Sequence, residues 1–218
     1  MQTVVLSLGG SLLAPNGINW EYLKQFCAFI QIHNDIRWII TVGGGKPVRE
    51  LIAHVDDRTQ KDLVGIAMTR VHAQLLISQL EGAHPHVLTS TELPDQSTVY
   101  VAGGFTPGRT TDDVATQFAV AHNASHIINL TNVDGVLVGG AVQEHMTFDA
   151  FLELFSEHEP GMNAPFDPVA TRRAQQAGMN VYIISGKHLE RIDAILSEKP
   201  FIGTLLSRVD DRLVSNDN

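Results

Sequence analysis

"VYVAGGFTPGRTTDDVATQFAVAH", residues 99–122, decides how the rest of the chain is read. An apolar run, Val99 to Ala102, gives way to two glycines, a Pro-Gly pair, an arginine, two threonines and two aspartates. Only then do Val114, Ala115, Phe118 and Ala119 recur at helical spacing. A short apolar run without polar alternation marks a strand covered on both faces. Pro107-Gly108 turns the chain, so Thr110, Thr111 and Asp112 fall at the start of the following helix. A helix start leaves amide hydrogens without carbonyl partners, and with the threonine hydroxyls and Arg109 these make a pocket for an anion. A cap by Thr111 or Asp112 would explain one of these residues. It leaves Arg109 and the second hydroxyl without a role.

The same junction recurs along the chain. "VVLSLGGS" (4–11) and "WIITVGGGK" (38–46) each join a strand-like run to a glycine cluster, and "IINLTNVDG" (127–135) and "VYIISGK" (181–187) end in turn formers. Helical spacing fills the intervals. Trp20, Leu23, Cys27 and Ile30 follow Asn19 as N-cap; Phe148, Phe151, Leu152 and Phe155 follow Thr147. Asp167-Pro168 opens a helix that Gly178 closes, and Leu189, Ile192, Ile195 and Leu196 form another apolar face. Residues 62–80 are apolar on more than one face, as in a helix packed on the sheet on one side and on another subunit on the other. Strands alternating with helices predict an α/β fold, a three-layer α/β/α sandwich with a largely parallel central sheet. We read residues 1–218 as one compact domain with an N-terminal and a C-terminal lobe. Segments 138–146 and 207–218 are read as an open loop and a tail.

Composition narrows the function. The 218 residues are 44% apolar and 18% charged, with a net charge of −9, which disfavours nucleic acid and anionic membrane as partners. Cys27 is the single cysteine and falls on an amphipathic helix, so it reads as a core residue in a reducing compartment. No apolar run approaches the roughly 20 residues of a membrane span, and the N-terminus lacks a basic leader. These features predict a cytoplasmic protein.

In a parallel sheet, ligands gather outside the carboxyl ends of the strands, where these glycine clusters lie. Glycine lets successive amides converge on an anion, and three such clusters predict an oxyanion or phosphate site. "GGGKPVRE" adds Lys46 and Arg49 at a helix start, as a second phosphate contact. Neither a Walker-type P-loop nor a G-x-G-x-x-G fingerprint occurs. The histidines form no metal pattern: His84, His86, His145 and His158 read as exposed loop residues, and His122 and His126 lie near a helix end.

Together "LSLGGSLL", "VGGGKPVRE", "DLVGIAMTRVHAQLL", "GGFTPGRTTDDVA", "TNVDGVL", "FDPVATRRAQQAG" and "GTLL" resemble, in order, the motifs of the archaeal-type uridylate (UMP) kinases of the amino acid kinase superfamily. The resemblance implies the amino acid kinase fold, Mg²⁺-dependent phosphoryl transfer from ATP to UMP in pyrimidine synthesis, and a hexamer. By matching position it implies that Gly9, Gly10 and Ser11 line the ATP phosphates, with Gly45, Arg49, Thr131 and Asn132 also on the ATP side. Gly44 and Asp62 would meet UMP, and Thr106, Pro107, Gly108, Arg109, Thr110, Thr111 and Asp112 would wrap its phosphate. Asp112, Arg49 and Lys46 would serve the transfer itself, with no metal held by protein ligands alone. After "TNVDGV" the chain has Leu137 and Gly140 where the family usually has Tyr and Asp, so weaker contacts to adenosine are expected. A related kinase with another phosphorylated acceptor, and a binding or storage protein on the same fold, are the competing readings.

Overall fold

A computed structural model describes residues 1–155 and 164–208. His158 and the tail from residue 209 lie outside the described residues. The first half contains β1 (Gln2–Leu8), the single turn α1 (Gly10–Leu13), α2 (Trp20–Ile32), β2 (Ile36–Val42), α3 (Gly45–Ile52) and α4 (Arg58–Ile77). It continues through β3 (Val99–Ala102), α5 (Thr111–Ala121) and β4 (His126–Thr131). Next come a hairpin of β5 (Leu137–Val138) and β6 (Ala141–Val142), then β7 (His145–Thr147) and α6 (Phe148–Leu154). After the undescribed stretch follow α7 (Pro168–Ala177), β8 (Val181–Ser185), α8 (Glu190–Leu196) and β9 (Thr204–Ser207).

The seven-stranded sheet has the order β3-β2-β1-β4-β8-β9-β7. Every pairing is parallel except β8 with β9. Because side chains alternate across a strand, β1 sends Val4, Leu6 and Leu8 to one face and Val5 to the other. The first face packs on Leu23, Phe26 and Ile30 of α2, Leu76 of α4 and Ile192 of α8. The second packs on Phe118 of α5, Phe148 and Phe151 of α6, and Ala170 and Ala174 of α7. The result is the three-layer α/β/α arrangement with a largely parallel sheet. Strands β2 and β3 extend from one side of β1 and β4 from the other, so the topological switch lies between β1 and β4.

Local signals explain most element ends. The Asn19 side chain accepts from Tyr22 N at 3.2 Å, and the Asp167 side chain accepts from Val169 N and Ala170 N at 2.6 and 2.9 Å. Cys27 is buried as expected. Several expectations are corrected. Trp20, first residue of its helix, is 53% exposed; Leu23, Cys27 and Ile30 are buried as expected, joined by Tyr22, Phe26 and Phe29. Helix α4 starts at Arg58, because Asp57 caps it through Gln60 N at 2.8 Å, and ends at Ile77. Segment 138–146 is not an open loop. Gly139 and Gly140, at φ 59° and 84°, make a two-residue turn between β5 and β6, and β7 joins the sheet. His84 is buried with Nδ1 2.7 Å from Asp95 Oδ2, and His145 lies half-buried in β7.

Candidate active site

The site begins where the loops after β1 and β2 cross. Gly9 N donates to Leu130 O and Gly43 N to Leu8 O, both at 2.9 Å. A Cβ on Gly10 would fall on the backbone of Gly43, Gly44 and Gly45, and Gly45 itself sits at φ 71°. Only glycines let two main chains touch here.

Helix α4 fixes the loops from the other side. Asp62 Oδ2 accepts from Gly108 N at 2.7 Å and Thr69 Oγ1 from Gly104 N at 2.8 Å. Arg70 Nε donates to Gly104 O at 3.1 Å, and the buried His72 holds Gly43 O through Nδ1 at 3.2 Å. Thr110, as N-cap of α5, accepts from Asp113 N at 3.2 Å, and the earlier amides of a helix start have no carbonyl partner within the helix.

Three clefts run along this edge. One of about 260 Å³ lies between α3, α4 and the helix start, with Arg49, Lys61, Asp62, Arg109, Thr110 and Thr111 among its walls. A second, about 300 Å³, is lined by Gly9, Gly10, Ser11, Asp112, Thr131 and Asn132. Both include Gly44, Gly45, Arg49 and Thr111, so they meet there. A third, about 430 Å³, has apolar walls from Val133, Leu137, Phe155 and Pro165, and shares Thr131 and Asn132 with the second. The loop walling this third cleft is fastened by later parts of the chain. Arg191 Nη1 meets Asp134 Oδ1 at 2.6 Å, and Val136 N donates to Thr204 Oγ1 at 2.8 Å, which in turn donates to Gln143 O at 2.6 Å.

Asp112 is the electrostatic centre of the second cleft. Its Oδ1 accepts from Ser7 Oγ at 2.6 Å and its Oδ2 from Asp167 N at 3.1 Å. Burial pushes its carboxyl up to about 6; the Ser7 hydrogen bond opposes the shift, and the nearby Asp167 and Asp113 carboxylates add to it. Its neighbour Asp113, with a side chain 1% exposed, holds Arg173 Nε at 2.8 Å and Arg109 Nε at 3.7 Å. That buried carboxylate therefore locates Arg109 at the first cleft and ties α5 to α7.

The structure thus brings together Gly9, Gly10, Ser11, Gly44, Gly45, Arg49, Asp112, Thr131 and Asn132, and beside them Asp62, Arg109, Thr110 and Thr111. It places Thr106, Pro107 and Gly108 on the exposed loop above, linked through the Gly108 amide. Lys46 lines neither cleft; its amine is engaged by Asn16 at 3.0 Å and Glu50 at 3.5 Å. Sequence reading missed Ser7 and Asn129. Each is the polar residue inside an apolar strand, and both pair in register with one another, as Ser7 does with Thr41. Asn129 donates through Nδ2 to Pro165 O beside the second cleft. Lys61, Ile66 and Thr69 were also missed, because a helix apolar on several faces hides which stripe faces a ligand.

Glycine loops at the switch point, with two clefts sharing one arginine, make a site suited to phosphate groups. The chain belongs to the amino acid kinase family, whose model matches residues 2–185. It is 33% identical to a uridylate kinase of Methanospirillum hungatei, over 95% of this chain and 96% of that one. The uridylate kinase of Archaeoglobus fulgidus superimposes with a TM-score of 0.82 at 32% identity, covering 95% of this chain and 100% of its own. A UMP kinase from Bacillus anthracis, 18% identical, shares the fold with a TM-score of 0.76, over 95% and 96% of the two chains.

Proposed function

We propose that the chain is a UMP kinase that moves the terminal phosphoryl of ATP onto UMP, giving UDP. The observation that carries this reading is the meeting of two clefts at Gly44, Gly45, Arg49 and Thr111. A donor phosphate chain in one and an acceptor phosphate in the other would face each other across a single guanidinium. UMP occupies the cleft of Asp62, Arg109, Thr110 and Thr111, and ATP the cleft of Gly9, Gly10, Ser11, Thr131 and Asn132, with its nucleoside along Leu137.

Phosphoryl transfer needs alignment and charge neutralisation more than covalent chemistry. The loop amides hold the donor oxygens, Arg49 follows the charge on the moving group, and the α5 amides with Arg109 orient the acceptor. The acceptor phosphate is already ionised, so no general base is required. Asp112 fixes the helix start through Ser7 and Asp167.

Magnesium enters with the nucleotide. Among the described residues no group of three His, Cys, Asp or Glu side chains could hold a metal, and both Asp112 oxygens already accept hydrogen bonds. Mg²⁺ is commonly bound through substrate phosphates and water. It is therefore part of the substrate, MgATP. The protein works in the cytoplasm as a hexamer, and α4, with Leu63 and Val71 exposed at 44% and 59%, faces a neighbouring subunit.

A coupled assay with UMP, CMP, AMP and isopentenyl phosphate tests the reading. Turnover is expected with UMP in preference to the others, and a stronger preference for isopentenyl phosphate or AMP would replace it.

A further inference from the structure

Asp113 is the third residue of α5, and its side chain is 1% exposed. Its two carboxylate oxygens are shared unequally. Oδ1 accepts from Arg173 Nε of α7 at 2.8 Å. Oδ2 accepts from Gln117 Nε2 at 3.0 Å and lies 3.7 Å from Arg109 Nε. The first two contacts are hydrogen bonds; the third is an ion pair only. A carboxylate taken out of water needs a close cation and hydrogen bonds on both oxygens. Arg173 and Gln117 supply these. Arg109 is therefore held near Asp113 by charge, without spending a hydrogen bond on it.

The two arginines stand in different places. Arg109 is a wall of the cleft of Asp62, Thr110 and Thr111, whereas Arg173 is no part of that wall and comes from a helix much later in the chain. We infer that Arg173 is a positioning residue for acceptor binding: by neutralising the buried Asp113 it keeps Arg109 available to the acceptor phosphate. The inference rests on the UMP kinase reading and adds a residue outside the cleft that governs one within it. Without the Arg173 charge, Arg109 is the cation left beside Asp113 among the described residues. The carboxylate then draws Arg109 from ion-pair to hydrogen-bond distance, and its guanidinium turns from the cleft into the seam between α5 and α7.

Arg173→Gln removes the charge and keeps a donor for Oδ1, at a side chain 38% exposed. Its KM for UMP is expected to rise about tenfold, the loss of one charge-assisted contact, with the KM for ATP within about twofold of the parent. Inhibition by uridine, which has no phosphate, should be unchanged. In an Arg109→Ala background the same change should alter the UMP KM by less than about twofold, because a residue that acts through another adds nothing once that one is gone. Asp113→Asn combined with Arg173→Gln leaves no buried charge to capture Arg109. That pair should return the UMP KM to within about threefold of the parent, since an ion pair as loose as the one it gives up is weak. It also carries the test if Arg173→Gln alone does not fold by circular dichroism. A single variant indistinguishable from the parent, an effect that adds to that of Arg109→Ala, weaker uridine inhibition, or a double variant as poor as the single would each overturn the inference. Parent protein that phosphorylates neither UMP nor CMP removes the functional reading first, and this inference with it. Parent turnover with an insensitive variant removes the inference alone.

Discussion

The two ends of the trough are built on different principles. The acceptor cleft is a hydrogen-bonded construction: Asp62, Thr69 and His72 of one helix fix the backbone of two glycine loops, and Asp113 locates Arg109. The donor nucleoside cleft has Val133, Leu137, Phe155 and Pro165 for walls, beside a hairpin whose tip is two glycines. Directional bonds fix a shape and discriminate strongly; apolar walls accept what fits. The contrast predicts an enzyme strict toward its acceptor and tolerant toward its donor, including GTP in place of ATP.

The largest effect should come where the two ends meet. Arg49→Ala is expected to lower kcat by about 10²–10³-fold, the usual consequence of losing one group that stabilises transition-state charge. Steady-state kinetics in both substrates check it; a defect confined to one KM would assign Arg49 to one cleft only.

Asp112 offers the next test. Its carboxyl is raised to about 6, so the folded state holds a proton that the unfolded chain releases near 4. Stability from this group is therefore complete below pH 4 and lost as pH rises through 6. Asp112→Asn should remove about 2 kcal/mol of the difference between urea unfolding at pH 4 and at pH 7.5, and should be the more stable protein at the higher pH. An unchanged pH dependence would place the titration elsewhere.

Asp62→Ala and Arg109→Ala should each raise the UMP KM about tenfold and leave the ATP KM within about twofold, since each loses one charge-assisted contact on the acceptor side. A matching rise in the ATP KM would break the division between the two ends. The smallest effect concerns the donor wall. Leu137, 53% exposed beside the third cleft, becomes a stacking surface in Leu137→Tyr, which should lower the ATP KM a few-fold. Adding Gly140→Asp should cost about 1 kcal/mol of stability, because Gly140 occupies φ 84° in the hairpin turn. Thermal unfolding and ATP kinetics of the single and double variants separate the two effects.

The acceptor half was legible because glycine clusters, helix starts and buried strands leave direct marks in sequence. Gly44, Thr110 and Thr111 stand out by residue type and by their place after an apolar run. Lys46 stood out equally, yet Asn16 and Glu50 engage it, because charge in a motif says nothing of the neighbour that reaches it first. The donor half was less legible. Strands of two residues have no period to read, so the β5–β6 hairpin passed for a loop. Ser7 needed register: one polar residue in an apolar strand is ambiguous, whereas Ser7 level with Thr41 and Asn129 is a row. His84 was misjudged for a similar reason, since its partner Asp95 lies eleven residues on in an irregular segment.

The hydrogen bond from Val136 to Thr204 also bears on how the protein comes into being. Every wall of the proposed acceptor cleft lies between residues 44 and 111, whereas the proposed donor loop is fastened in part by Arg191 and Thr204, late in the chain. On the ribosome, the growing polypeptide carries every residue of the proposed acceptor cleft before it holds Arg191 and Thr204. Turnover is thus expected only of a chain whose strand β9 has emerged and taken its place between β8 and β7. Synthesis stalled earlier leaves a polypeptide that has the proposed acceptor residues but lacks Arg191 and Thr204 to fasten the loop at Asp134 and Val136.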